Sequence, residues 1–126
     1  MKQITKLMVN MYNLKGIDFA GYKVSKDNPY TYHHLIKRCN FGKKTIENGA
    51  ILTKNAHEYL HIVETRTLEL YVYINNVLKQ INEQGHEPLL RQILAIDYLL
   101  KLFEKDHIND VSSKNKRLIK SEYLRR

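Results

Sequence analysis

The sequence predicts an α+β fold, in which a short β-hairpin and the helix after it are preceded by one helix and followed by a helical extension. Three observations predict it. Residues 30–36 are rich in the β-formers Tyr, Thr and Ile, and a short apolar run at 49–52 can pair back on them. Beyond Thr53 the apolar residues recur at helical spacing. Finally, 43% of the 126 residues are hydrophobic, enough for one buried core without disulfide staples.

Taken in order, Ile4, Leu7, Met8, Met11 and Tyr12 form one stripe of an amphipathic helix within residues 1–14. Gly16 and Gly21 interrupt the pattern, and residues 17–32 read as irregular or briefly extended, with a turn at Asn28-Pro29. The first strand spans 30–36 and carries His33 and His34. Residues 37–48 are polar, basic and contain Gly42, so they form the loop to the second strand at 49–52. Thr53 is a suitable cap for a helix that starts at Lys54 and carries His57 and His61. Thr67 can cap the next helix, whose stripe is Leu70, Ile74, Val77, Leu78 and Ile81 and whose end is set by Gly85. Glu87-Pro88 should open another, since proline suits a first helical turn. The apolar residues of that helix between 89 and 103 cover more than half its circumference, which requires burial on several sides or a partner chain. Ser112 or Ser113 can cap a last basic helix reaching Leu124. One domain, 1–126, accommodates all of this, with a nucleus at 30–65 and the helical extension at 66–126.

The formal charge of +8 is unevenly spread. Residues 1–30 carry +3, 31–65 carry +2, 66–110 carry −2 and 111–126 carry +5. A polyanion such as nucleic acid suits this map; so does a solvated surface with a basic tail. The single cysteine, Cys39, cannot form an internal bridge, and Lys2, Lys6 and Asn10 break up the first 14 residues, unlike a secretory signal. No apolar run nears the roughly 20 residues that span a bilayer. A cytoplasmic protein with no membrane partner is the expectation.

Four of the six histidines stand at 33, 34, 57 and 61. Adjacent residues of a strand point to opposite faces, whereas His57 and His61, four apart on a helix, share one. Such an i, i+4 pair supplies two metal ligands, and a third from the neighbouring strand leaves a coordination position open. The other histidine of the adjacent pair is then free to move a proton near neutral pH.

The pattern His33-His34…Asn48…His57…His61, with steps of 14, 9 and 4, resembles the ββα-metal core of HNH nucleases, in particular the variety found in nuclease colicins. The segments NFGKKTIEN and IENGAILTKNAHEYLH look like that family's glycine-containing loop, second strand and metal helix, so the resemblance covers about residues 30–65. It implies that His33, His57 and His61 bind one divalent metal ion, that His34 is the general base, and that Asn48 holds the loop so that the base is oriented. Three imidazoles suit zinc, nickel, cobalt or manganese, and magnesium also serves in the family. Lys37, Arg38, Lys43 and Lys44 are candidates for phosphate contacts. The CxxC pairs that brace many relatives are missing here, so the helices beyond residue 66 must brace the core. Tyr22, Tyr30 and Tyr32 either stack on bases or pack.

These implications add up to a metal-dependent endonuclease acting on nucleic acid, with DNA as the expected substrate and a bacterial or phage source. The alternative is a non-catalytic module of the same fold that binds nucleic acid or a protein, such as a phage inhibitor of a host defence system. The apolar helix at 89–103 favours that alternative, or a homodimer through the extension.

Overall fold

The computed structural model describes residues 1–107. The basic segment in which a helix from Ser112 or Ser113 was expected lies outside the described residues. The fold is α+β: α1 (Gln3–Met11), β1 (Tyr30–His34), a single 3-10 turn (Arg38–Asn40), β2 (Gly49–Thr53), α2 (Lys54–Arg66), α3 (Leu68–Gln84) and α4 (Leu90–His107).

β1 and β2 pair antiparallel from Tyr30 opposite Thr53 to His34 opposite Gly49. An isolated two-stranded hairpin is marginal in water, and this one is sheathed by helices. Every residue of β2 is buried, whereas on β1 only His33 is. The core joins Met8 of α1 and Phe19 to Ile51, then to Tyr59 and Val63 of α2, Leu78 and Ile81 of α3, and Ile96 and Phe103 of α4. Tyr22 is buried within it, and the Tyr30 and Tyr32 hydroxyls are bonded to the carbonyls of Ile17 and Thr45, so these tyrosines pack.

The segment between α1 and β1, irregular as expected, is ordered by two side chains. The buried Asp18 carboxylate accepts the backbone N–H groups of Ala20 and Tyr22, both at 2.9 Å, and of Thr53 at 2.7 Å. Asn28 Oδ1 accepts the Asn55 N–H at 2.8 Å, and the Pro29 carbonyl accepts that of Lys54. The first turn of α2 is thus satisfied from a distant loop. Thr53, expected as its cap, precedes the helix but makes no capping bond with its side chain.

Other boundaries shift for similar reasons. β1 ends at His34 rather than at 36, because Asn48 engages both polar backbone groups of Ile36. α4 begins at Leu90, not at Glu87-Pro88, because Gln92 reaches back to accept the Leu89 N–H at 2.8 Å, half of a capping box. Gly85 closes α3 in the left-handed conformation, φ 77°, as expected.

α3 does the bracing. Asn75 donates to the Leu35 carbonyl at 3.0 Å, and Asn82 donates to those of Ile46 and Gly49, both at 2.7 Å. These two amides, seven residues apart, hold both ends of the loop between the strands. On α4, Ile93, Ile96, Leu100 and Phe103 are buried, but Leu90, Leu94, Tyr98 and Leu102 form an exposed stripe at four-residue steps. That helix is therefore covered on one side only by the described residues. Among the described residues no helix is long and apolar enough to cross a membrane.

Candidate active site

Strand alternation sends His33 inward and His34 to the other face, and both line a cleft with His57 and His61 of α2. The His33 and His57 rings meet edge to face with centres 5.3 Å apart. His57 and His61 stack at 4.9 Å. Three imidazoles around one tetrahedral ion, with metal–nitrogen bonds of about 2.0–2.1 Å, have ring centres roughly 5 Å apart. The donor types suit an ion of the zinc, nickel or manganese kind, and the His33–His57 and His57–His61 spacings match that figure.

The rings do not yet share a focus. Among the described residues no three His, Cys, Asp or Glu side chains converge on a single point. The stacking explains this: His61 lies nearly parallel to His57, at 22°, with its Nδ1 3.6 Å from Glu64. His61 is also the exposed member of the trio, its side chain 62% accessible.

Burial keeps two of these imidazoles neutral. His33 is pushed down to about 4 by burial, against a smaller opposing effect of its bond to Asn75. His57 falls to about 4 through burial and then the neighbouring His33. A neutral imidazole retains the lone pair that binds a metal. His34 is half-buried and edge-on to Tyr32 at 4.9 Å. Its pKa is lowered by burial first, then by Arg38 and Lys44. Its Nε2 is enclosed and has no hydrogen-bond partner.

The loop behind His34 is held by Asn48. Its Oδ1 accepts the Ile36 N–H at 2.7 Å, and its Nδ2 donates to the carbonyls of Ile36 and Lys43, both at 2.9 Å. Its own carbonyl accepts the Leu35 N–H at 2.8 Å, directly after His34. Asn48 thus orders the loop from within, as α3 does from outside.

Two clefts meet at His34. One is lined by all four clustered histidines together with Arg38, Cys39 and Tyr71. The other is lined by Lys2, Arg38, Lys43 and Lys44 around Tyr32 and His34. Arg38, Lys43 and Lys44 therefore gather where an anion could approach the base, and Lys44 Nζ sits 5.5 Å over the Tyr32 ring. Lys37 lines the histidine cleft beside Arg38, with its ammonium paired with Glu64. His86 is exposed away from the site, and His107 stacks on Phe103.

Sequence reasoning missed Lys2, Thr31, Glu64 and Asn75. Lys2 belongs to the site only because α1 folds against the hairpin, a contact that no local pattern encodes. Asn75 and Asn82 left a readable trace, since two poor helix formers seven apart lie beside an apolar stripe. No family model matches the chain, and no curated protein or solved structure is found to be similar to it.

Proposed function

We propose that the chain is a metal-dependent endonuclease of the HNH (ββα-metal) type, hydrolysing phosphodiester bonds in nucleic acid, with DNA as the first substrate to try. One observation carries the reading: three imidazoles, in ring contact from His33 through His57 to His61, line one cleft, and His34 stands where that cleft meets a basic one. A free-standing cytoplasmic enzyme fits this reading.

His33, His57 and His61 would hold one divalent ion, zinc, nickel, manganese or magnesium. When bound, the ion supplies charge stabilisation at a phosphoryl oxygen and at the departing 3′ oxygen. The remaining work falls to the chain. Arg38, Lys43, Lys44 and Lys2 attract and seat the phosphate backbone. The His34 imidazole takes a proton from water as the water oxygen bonds to phosphorus and the bond to the 3′ oxygen breaks. With its pKa lowered, His34 is neutral at pH 7 and ready to accept that proton. Asn48 holds the adjoining backbone and so fixes where the base stands.

The test is plasmid cleavage by metal-stripped protein with Mg²⁺, Mn²⁺, Ni²⁺ or Zn²⁺ restored, beside His34→Ala. Cleavage in wild type should fall about 10²- to 10⁴-fold in the variant, while circular dichroism stays unchanged. Equal cleavage by a folded His34→Ala chain removes the general base from the reading. A second reading, a protein-binding or inhibitory module, is favoured by the exposed Leu90, Leu94, Tyr98 and Leu102 stripe. It becomes the better one if the protein binds metal tightly yet cleaves nothing, and if Leu94→Glu abolishes self-association or capture of a partner.

A further inference from the structure

Two side chains outside the expected site, Thr31 on β1 and Asn75 on α3, each hold one ring nitrogen of a histidine. His57 Nδ1 lies 2.9 Å from Thr31 Oγ1, which also lies 2.8 Å from the Leu52 carbonyl oxygen. His33 Nε2 lies 2.8 Å from Asn75 Oδ1, while Asn75 Nδ2 lies 3.0 Å from the Leu35 carbonyl oxygen. Proton counting decides what these contacts are.

A hydroxyl has one proton. If Thr31 gave it to His57, the Thr31 and Leu52 oxygens would face each other at 2.8 Å with no hydrogen between them. If Thr31 gives it to Leu52, His57 Nδ1–H donates to Thr31 and both contacts are satisfied. Only the second arrangement leaves no lone pairs opposed, so His57 carries its proton on Nδ1. The Asn75 amide is fixed in the same way. Turned over, it would set Oδ1 against the Leu35 oxygen; as placed, Nδ2 donates there and Oδ1 must accept from His33 Nε2–H. His33 therefore carries its proton on Nε2. The lone pairs left for a ligand are on His33 Nδ1 and His57 Nε2, opposite ring positions in two neighbouring histidines.

We propose that Thr31 and Asn75 are positioning residues of the metal centre, fixing the tautomers so that His33 coordinates through Nδ1 and His57 through Nε2. This rests on the reading of His33, His57 and His61 as metal ligands. Partners of this kind fix ring orientation and raise ligand basicity, and their loss costs about 10- to 100-fold in metal affinity. α3 thereby becomes part of the centre: Asn75 ties the ring of one ligand to the Leu35 carbonyl, one residue past the base.

The experiment has two arms on the whole chain. Long-range nitrogen-15 NMR of the metal-free protein above pH 7 should find His33 protonated on Nε2 and His57 on Nδ1, with the His57 assignment reversed in Thr31→Val and kept in Thr31→Ser. Cobalt(II) titration followed by visible absorption should show one equivalent bound by wild type. Affinity should fall about 10- to 100-fold in Thr31→Val and Asn75→Leu, and return in Thr31→Ser, which keeps the hydroxyl. Wild type that takes up no cobalt overturns the metal reading and the positioning role together. Cobalt bound equally by wild type and both disruptive variants, or the opposite tautomers in wild type, overturns the positioning role alone. Thr31→Ser, and circular dichroism of Thr31→Val and Asn75→Leu, keep the result separate from loss of folding.

Discussion

Asn48 bonds both polar backbone groups of Ile36, accepting its N–H at 2.7 Å and donating to its carbonyl at 2.9 Å. One amide side chain thereby does what a strand partner would do for a residue just past the end of β1. Ile36 itself is exposed, 58% accessible, so burial does not hold it. The loop that backs His34 is closed by directional bonds, and its chemistry is unforgiving.

Asn48→Asp should be worse than Asn48→Ala. Aspartate keeps the acceptor for the Ile36 N–H but turns a carboxylate oxygen toward the carbonyls of Ile36 and Lys43, which Nδ2 now serves. Alanine leaves those carbonyls to water, at a cost of about 1–2 kcal/mol for a loop this open. Urea unfolding of the three proteins gives the order directly. An aspartate variant as stable as wild type would mean that the clamp carries no weight.

Gly42→Ala should disturb the same loop from its other side. A Cβ there would fall on the carbonyl oxygen of Ile36, a backbone atom that cannot swing away. Gly85→Ala is the control: it pays for a left-handed φ of 77°, but its Cβ meets nothing within 4 Å. Overpacking of this kind costs about 1–3 kcal/mol, and at residue 42 it should also shift the His34 resonances, which residue 85 leaves unchanged. Identical His34 spectra in the two variants would break the link between this glycine and the base.

Much of this arrangement was legible in the sequence where it is local. The hairpin, α2 and the ends of α3 follow from residue type and spacing, since strand alternation and helical period act over a few residues. The histidine cleft was legible for the same reason: His33 and the His57/His61 pair each sit in a short periodic element. What escaped is long-range. Asn28 capping α2 and Asn75 reaching His33 across 42 positions both depend on which elements touch. Lys37 shows the converse, because a basic loop residue that reads as a phosphate contact also pairs with Glu64 from α2, a contact that local sequence does not reveal.

That pairing gives a prediction about salt. Each lysine or arginine that neutralises a phosphate contributes about 0.9 to the slope of log affinity against log salt concentration. Lys43→Ala with Lys44→Ala should lower the slope of nucleic-acid binding by about 2, because both line the basic cleft at His34. Lys37→Ala should leave it nearly unchanged. Fluorescence anisotropy with a labelled duplex between roughly 50 and 200 mM salt separates them. Equal losses from Lys37 and from the Lys43/Lys44 pair would mean that the cleft does not select which cations meet the backbone.

The metal-free protein should lose stability on acidification, and the sign follows from three buried groups. Burial lowers His33 and His57 from 6.5 to about 4 in the folded chain. Between those values the unfolded chain binds more protons, so this contribution is fully present above pH 6.5 and drains away toward pH 4. The slope is at most about 1.4 kcal/mol per pH unit for each imidazole. Asp18 acts in the opposite sense. Burial raises its carboxyl from 3.8 to about 6 despite the backbone N–H groups it accepts, so between pH 6 and 3.8 the folded chain holds the proton and acid favours folding. Two imidazoles against one carboxylate leave a net loss, with the lowered His34 adding to it. A His33→Asn, His57→Gln chain retains Asp18 and His34 and should show a flattened acid limb between pH 6.5 and 4. Urea unfolding in chelator at pH 7, 6, 5 and 4.5 measures both curves. Parallel curves would mean that the two imidazoles take up protons as readily in the folded chain as in the unfolded one, and that burial does not hold them in the metal-ready form.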